Sequence, residues 1–175
     1  CGERHLAISF LTENGRFLAK VQGFTTGNVL LRREQYRRAD DKAASLSLAR
    51  AFVAAKIANS RTSLQRAVRD GLEPPGKESV EAAVRRLNFS LQKLEHEQSL
   101  DGLRGMEGDA ARTYFEVFDH LIVAQKEDFS FQGRSRRPPM DNVNALLSFL
   151  YTLLLHDARA ACESAGLDSA VGFLH

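Results

Sequence analysis

Near the middle of the chain a carboxylate stands among small residues, in Gly105-Met106-Glu107-Gly108-Asp109-Ala110-Ala111-Arg112-Thr113-Tyr114. At helical spacing Glu107, Ala110 or Ala111, and Tyr114 share one face. If a helix starts at Glu107, its dipole favours the charge there. Small residues beside a carboxylate leave room for another backbone or a ligand. The same residues also suit a plain helix N-terminus followed by core alanine and tyrosine, and the sequence leaves both open. A second candidate group is Asn144, Ser148 and Tyr151, which share one face of an apolar segment. Polar groups on such a face need partners or a task, so they are either a site or a satisfied hydrogen-bond network. A third group, Arg134, Arg136 and Arg137, precedes Pro138-Pro139. Guanidinium forks match phosphate oxygens, and a proline-stiffened loop presents them at lower entropic cost. Arg32, Arg33, Arg37 and Arg38 form a second basic group. Either cluster is a nucleic-acid contact or a solvated surface.

The histidines add one candidate. Glu116 and His120 lie four apart but lack a nearby third ligand, so they read as an ion pair. His96 falls at an exposed helical end, and His156 closes an apolar run. His175 follows the apolar stretch Ala170-Val171-Gly172-Phe173-Leu174 and could present its imidazole from a buried base. Cys1 and Cys162 have no paired spacing, which excludes a disulfide framework and a cysteine-rich zinc site. No P-loop or nucleophile-elbow motif is present. The 175 residues carry 24 basic and 22 acidic side chains, so any nucleic-acid argument rests on local clusters rather than the net charge of +2. With 43% hydrophobic and 26% charged residues, the composition is that of a globular domain.

These residues need elements to position them. His5–Phe10 and Arg16–Gln22 read as strands around Asn14-Gly15, a strong hairpin signal, and Val29-Leu30-Leu31 reads as a possible third strand. From about Gln35 the period becomes helical. One helix is expected over Asp40–Arg69, ended by Gly71-Leu72-Glu73-Pro74-Pro75-Gly76, and a second from Ser79 to about Gln98. A third is expected over Glu107–Gln125 with Ala111, Phe115, Phe118 and Ile122 buried. After a basic loop from Phe129 to Met140, Asp141 caps a fourth helix that Gly166 stops. Its run Ala145–Leu155 is too short to span a bilayer and reads as a buried core helix. The expected fold is mainly α, a multi-helix domain preceded by a small β hairpin.

Several ordered motifs resemble one known family. They are Gly27-Asn28-Val29-Leu30-Leu31-Arg32-Arg33, Lys56-Ile57-Ala58-Asn59, Gly105-Met106-Glu107-Gly108, Arg136-Arg137-Pro138-Pro139-Met140-Asp141-Asn142-Val143-Asn144-Ala145-Leu146-Leu147-Ser148-Phe149, Ala165-Gly166-Leu167-Asp168 and Gly172-Phe173-Leu174-His175. The chain resembles the CRISPR-associated integrase and endonuclease family, the larger of the two universal proteins of spacer adaptation, in its type I-C branch. The resemblance implies that residues 1–33 are the remnant of an N-terminal β domain and that 34–175 are a helical C-terminal nuclease and integrase domain, incomplete at its C-terminus. It implies Glu107 and His175 as ligands of Mg²⁺ or Mn²⁺, with Asn144 and Tyr151 lining the same catalytic site. The family's third ligand, a carboxylate beyond the histidine, is expected to be missing from this chain. Arg134, Arg136, Arg137, Lys56 and Arg61 are the expected DNA contacts. The implied partners are double-stranded DNA, the smaller universal adaptation protein and a second copy in a homodimer, in a prokaryotic cytoplasm and away from membranes. A non-catalytic DNA-binding scaffold is the alternative expectation, because one side of the metal site is missing.

Overall fold

The computed structural model describes residues 8–13, 17–21 and 28–174. Two short strands, β1 (Ile8–Leu11) and β2 (Phe17–Val21), pair antiparallel with Ile8 opposite Val21, Ser9 opposite Lys20 and Phe10 opposite Ala19. The register shifts between Phe10 and Leu11. The expected Asn14-Gly15 turn lies outside the described residues. Two strands cannot bury a core of their own, and this hairpin leans on the last helix through a Lys20–Glu163 ion pair and a Phe17–His156 ring stack with centroids 5.5 Å apart.

Five helices follow: α1 (Val29–Asp40), α2 (Lys42–Arg69), α3 (Gly76–Leu94), α4 (Leu100–Glu116) and α5 (Asn142–Ala165). The possible third strand at Val29-Leu30-Leu31 is instead the first turn of α1. These side chains are exposed, Leu30 at 77%, so no sheet pairs with them, and the Arg-, Glu- and Gln-rich run that follows favours helix. Asp41 is extended and divides α1 from α2, and its carboxylate accepts from the amides of Ala43 and Ala44 at 2.8 and 3.2 Å. That is an ordinary N-cap.

The core forms where α2, α3 and α4 meet. Helix α2 contributes Ala49, Val53, Ile57 and Leu64, α3 contributes Val80, Ala83, Leu87 and Leu94, and α4 contributes Leu103 and Ala110. These positions recur at three-, four- and seven-residue steps, the period of a single buried helix face. Helix α4 starts at Leu100 rather than at Glu107, with the Ser99 Oγ cap accepting from the Gly102 amide at 3.0 Å. It ends at Glu116, and a 3₁₀ turn over Phe118–Leu121 follows. Ala111, Phe115, Phe118 and Ile122 are half-buried rather than buried. The rings of Phe115, Phe118 and Phe131 touch at 5.1–5.8 Å between centroids.

Helix α5 begins at its Asp141 cap and ends at Gly166, as the sequence predicts. It is not a buried core helix. Only Val143 and Asn144 are buried, whereas Leu146, Phe149, Leu150, Leu154 and Leu155 are 42–62% exposed. The helix is held at its two ends, by a polar network at Asn144 and by contacts of His156 and Glu163 with the hairpin. Among the described residues no helix is long and apolar enough to cross a membrane.

Candidate active site

Glu107 sits in the middle of α4, not at its start, so the helix dipole does little for its charge. Its partner is the ammonium of Lys56 on α2, which pairs with Glu107 Oε1. The carboxylate is 20% exposed and the lysine 56% exposed, so this pair lies at a surface opening. Gly105 and Gly108 flank it on exposed positions of the helix, where nothing approaches within 4 Å of an added Cβ. The space beside Glu107 is open, as the small residues suggested.

Two turns further along α4, Tyr114 lies on the same face as Glu107. Burial, and then the neighbouring Tyr151 of α5, push the Tyr114 hydroxyl above its ordinary pKa. The Tyr114 ring itself packs on Phe115 and Phe118, with centroids 5.4 and 5.6 Å away. On that stripe Asn144 is fully buried. Its Oδ1 accepts from Arg134 Nη1 at 2.7 Å and the Ser135 amide at 3.0 Å. Its Nδ2 donates to the Gly133 carbonyl at 2.8 Å and Asp141 Oδ2 at 2.6 Å. Arg134 also reaches Ser148 Oγ at 3.4 Å and lies over the Tyr151 ring at 5.6 Å from its centroid. Asn144, Ser148 and Tyr151 thus share one face, as expected, and Arg134 ties the three together. The stripe is a hydrogen-bonded network in which the buried Arg134 Nε is left without a partner.

The expected DNA contacts divide. Arg136 and Arg137 are exposed. Arg136 borders an open cleft of about 420 Å³ together with Arg112, Phe115, Phe131 and Arg134. Arg134 is committed to Asn144, Lys56 to Glu107, and Arg61 donates to Asn88 Oδ1 at 2.8 Å. A cavity of about 690 Å³ between the α2–α3 turn and the 3₁₀ turn is lined by none of the expected site residues. His120 borders it, and Glu116 pairs with Arg86 rather than with His120.

His175 lies outside the described residues, and so does its separation from Glu107. Its neighbour Leu174 is half-buried against the core, and the Leu174 carbonyl accepts from Arg104 Nε at 2.6 Å. Arg104 precedes Glu107 by one helical turn. Among the described residues no three His, Cys, Asp or Glu side chains form a metal cluster. Glu107 fits a hard divalent ion by its donor chemistry, since a carboxylate oxygen suits such cations and here already holds a cationic group at an open position. Sequence reasoning missed Arg104 and Gln35, whose roles are contacts to main chain far away in sequence. The partial signal for Gln35 was its place between the arginine pairs Arg32-Arg33 and Arg37-Arg38 of α1.

Comparison with known proteins gives the family. The family model described as CRISPR associated protein Cas1 matches residues 1–175. The chain is 50% identical over 175 residues to CRISPR-associated endonuclease Cas1 1 of Chlorobaculum tepidum, covering all of this chain and 51% of that protein. It is 49% identical over 179 residues to CRISPR-associated endonuclease Cas1 2 of Rhodospirillum rubrum, again covering 51% of the relative. The chain therefore spans about half the length of these curated relatives. Among solved structures, a casposase bound to integration product superposes with a TM-score of 0.76 at 26% identity, over 99% of this chain and 46% of that one. A Cas6-RT-Cas1–Cas2 complex gives the same TM-score at 27% identity, over 99% of this chain and 18% of that one. With a family model matched from end to end and half of all positions identical to a curated relative, this chain belongs to the Cas1 family.

Proposed function

We propose that this chain carries the catalytic region of a divalent-metal-dependent DNA endonuclease and integrase that inserts new spacers into a CRISPR array. The observation that carries the reading is Glu107, an accessible carboxylate in the middle of α4, with the chain at Leu174 tied one turn away by Arg104. On this reading the β1–β2 hairpin belongs to a β domain and the helices from α1 onward to the nuclease and integrase domain. The boundary then falls before Val29 rather than after residue 33, which lies inside α1. Glu107 and His175 would hold Mg²⁺ or Mn²⁺, with Lys56, the present partner of the Glu107 carboxylate, giving up that pairing. Bound there, the ion supplies charge that polarises the scissile phosphate and acidifies the attacking hydroxyl. A DNA 3′-hydroxyl oxygen then forms a bond to phosphorus, the bond from phosphorus to the repeat's own 3′-oxygen breaks, and that oxygen leaves with a proton. The half-exposed Tyr151 offers its hydroxyl to a phosphate oxygen, and Asn144 holds Arg134 and the loop around it in place.

DNA affinity comes mainly from Arg136 and Arg137, supplemented by Arg134, Lys56 and Arg61, through sequence-independent phosphate contacts. The casposase bound to integration product and the Cas1–Cas2 complex support DNA and the smaller universal adaptation protein as partners. That the DNA is double-stranded, the assembly homodimeric and the location cytoplasmic is the remainder of the proposal. The Lys56–Glu107 pair favours a second reading, a DNA-binding scaffold in which lysine takes the place of the metal. Cleavage and strand transfer on branched DNA, run in Mn²⁺ and in chelator, decide between them. Product that appears only with the ion supports the enzyme. DNA binding without product in either condition supports the scaffold.

A further inference from the structure

Two stretches more than a hundred residues apart in sequence meet at one place, the start of α1 and the turn that follows α5. Helix α5 closes at Gly166, whose φ of 86° is the left-handed conformation that favours glycine at a helix end. Beyond it the main chain is gripped from α1. Arg32 Nε donates to the Gly166 carbonyl at 3.2 Å, and Asn28 Nδ2 donates to the Ala165 carbonyl at 3.5 Å. Gln35 makes a reciprocal pair with Asp168, donating from Nε2 to its carbonyl at 2.9 Å and accepting its amide on Oε1 at 2.8 Å. Tyr36 donates its hydroxyl to the Asp168 carboxylate, which also accepts the Ala170 amide at 2.8 Å. Gln35 is the buried residue of α1. The far end of the same segment is Leu174, fixed to α4 by Arg104.

We propose that Gln35 is a positioning residue for the candidate active site. It fixes the 166–174 segment so that the chain reaches α4 one turn from Glu107. The proposal rests on the reading of Glu107 and His175 as metal ligands. On that reading Gln35 touches neither the ion nor DNA and acts only through the segment. Within the segment the main-chain bonds are sparse, with Leu167 donating to the Cys162 carbonyl at 2.9 Å and Val171 to the Asp168 carbonyl at 3.3 Å. An irregular segment loses conformational freedom when it is ordered, so its path depends on its ties, and the tie at Asp168 is a side-chain amide matched donor-for-acceptor to the main-chain N–H and C=O of one residue. Glutamate has the same shape but no donor, and it would face the Asp168 carbonyl with a negative oxygen.

Gln35→Glu and the milder Tyr36→Phe, made in the full-length protein, provide the test. The readouts are hydrogen exchange at residues 167–174, Mn²⁺ affinity measured with the metal alone, and the kcat and KM for DNA cleavage. Gln35→Glu is expected to speed exchange at these amides at least tenfold and to weaken Mn²⁺ binding about tenfold, the scale seen when an orienting partner of a ligand is lost. It should lower kcat with little change in KM for DNA, and raised Mn²⁺ should restore the rate. Tyr36→Phe should move exchange in the same direction by less, and it decides the matter if Gln35→Glu does not fold. Unchanged exchange in both variants, or a kcat loss that raised Mn²⁺ does not restore, overturns the proposal. A wild-type protein that binds no Mn²⁺ overturns the metal reading instead, and the exchange data then uphold or refute the clasp by themselves.

Discussion

Replacing Asn144 with alanine should unfold the base of α5 more readily than any other single truncation on that helix. Asn144 is fully buried and makes four side-chain hydrogen bonds, two of them to the charged groups of Arg134 and Asp141. Alanine removes all four. The Gly133 carbonyl is exposed and can recover water, while Arg134 Nη1 keeps its bond to the Ser135 carbonyl at 2.6 Å. Asp141 Oδ1 also keeps the backbone cap on residue 144, at 2.7 Å. The losses that remain are two charge-assisted bonds, at about 1.5–3 kcal/mol each before solvent recovery, and a half-buried Ser135 amide left without its acceptor. After allowance for that recovery the cost is about 3–5 kcal/mol, a large share of the roughly 5–15 kcal/mol that holds an ordinary domain together. Asn144→Asp keeps the shape and strengthens attraction to Arg134, but it sets two carboxylates side by side and should cost about 2 kcal/mol. Equilibrium urea unfolding followed by circular dichroism measures both, with the dependence on urea unchanged. A cost below about 1 kcal/mol for Asn144→Ala would refute the reasoning, because four bonds of this geometry would then carry no net stability.

Gly105→Ala and Gly108→Ala should each stabilise the chain by about 0.5–1 kcal/mol in the same unfolding assay, since both are exposed helical positions with open space around an added Cβ. Arg136→Ala combined with Arg137→Ala should weaken DNA binding across sequences and reduce the slope of log affinity against log salt by about 1.8, or about 0.9 for each phosphate no longer neutralised. An unchanged slope would place the DNA elsewhere. The Tyr36 hydroxyl holds the Asp168 carboxyl below its usual range, and the same bond raises the tyrosine's own pKa. The aspartate's contribution to stability is therefore complete above about pH 4 and lost as pH falls through its depressed value, and the tyrosine's is complete below about pH 10 and lost as pH rises through its raised value. The difference in melting temperature between wild type and Tyr36→Phe should be constant from about pH 5 to 9 and shrink outside that window. A difference that grows toward acid would contradict this.

The helical core was legible because α2 and α3 keep one apolar face in step for several turns, and because Asp141 and Gly166 are unambiguous cap residues. What misled was local. Glycines at 102 and 105 weaken the helix signal ahead of Glu107, yet Leu103, Met106 and Ala110 pack on the core and carry the helix from Leu100 onward. Val29-Leu30-Leu31 has strand-like composition without a sheet to join. The apolar run of α5 resembles a core segment, but apolar residues show only what can be buried, not whether a neighbour covers it. At the site, spacing put Asn144, Ser148 and Tyr151 on one face correctly. It could not show that Arg134 would be their common partner, nor that Gln35 and Arg104 would grip main chain 133 and 70 residues away, because main-chain acceptors leave no mark in residue type.

The central claim is that Glu107 is a ligand rather than a structural partner of Lys56. The direct measurement is the single-turnover cleavage rate of Glu107→Gln in Mn²⁺, set beside its DNA dissociation constant and that of wild type, in the full-length protein. The side chain keeps its volume and can still hydrogen-bond Lys56, but it no longer brings negative charge to an ion. Loss of several kcal/mol of charge stabilisation corresponds to a rate reduced by about a thousandfold, with DNA affinity within about twofold of wild type. Cleavage at the wild-type rate, or a loss of DNA binding as large as the loss of rate, would contradict the assignment.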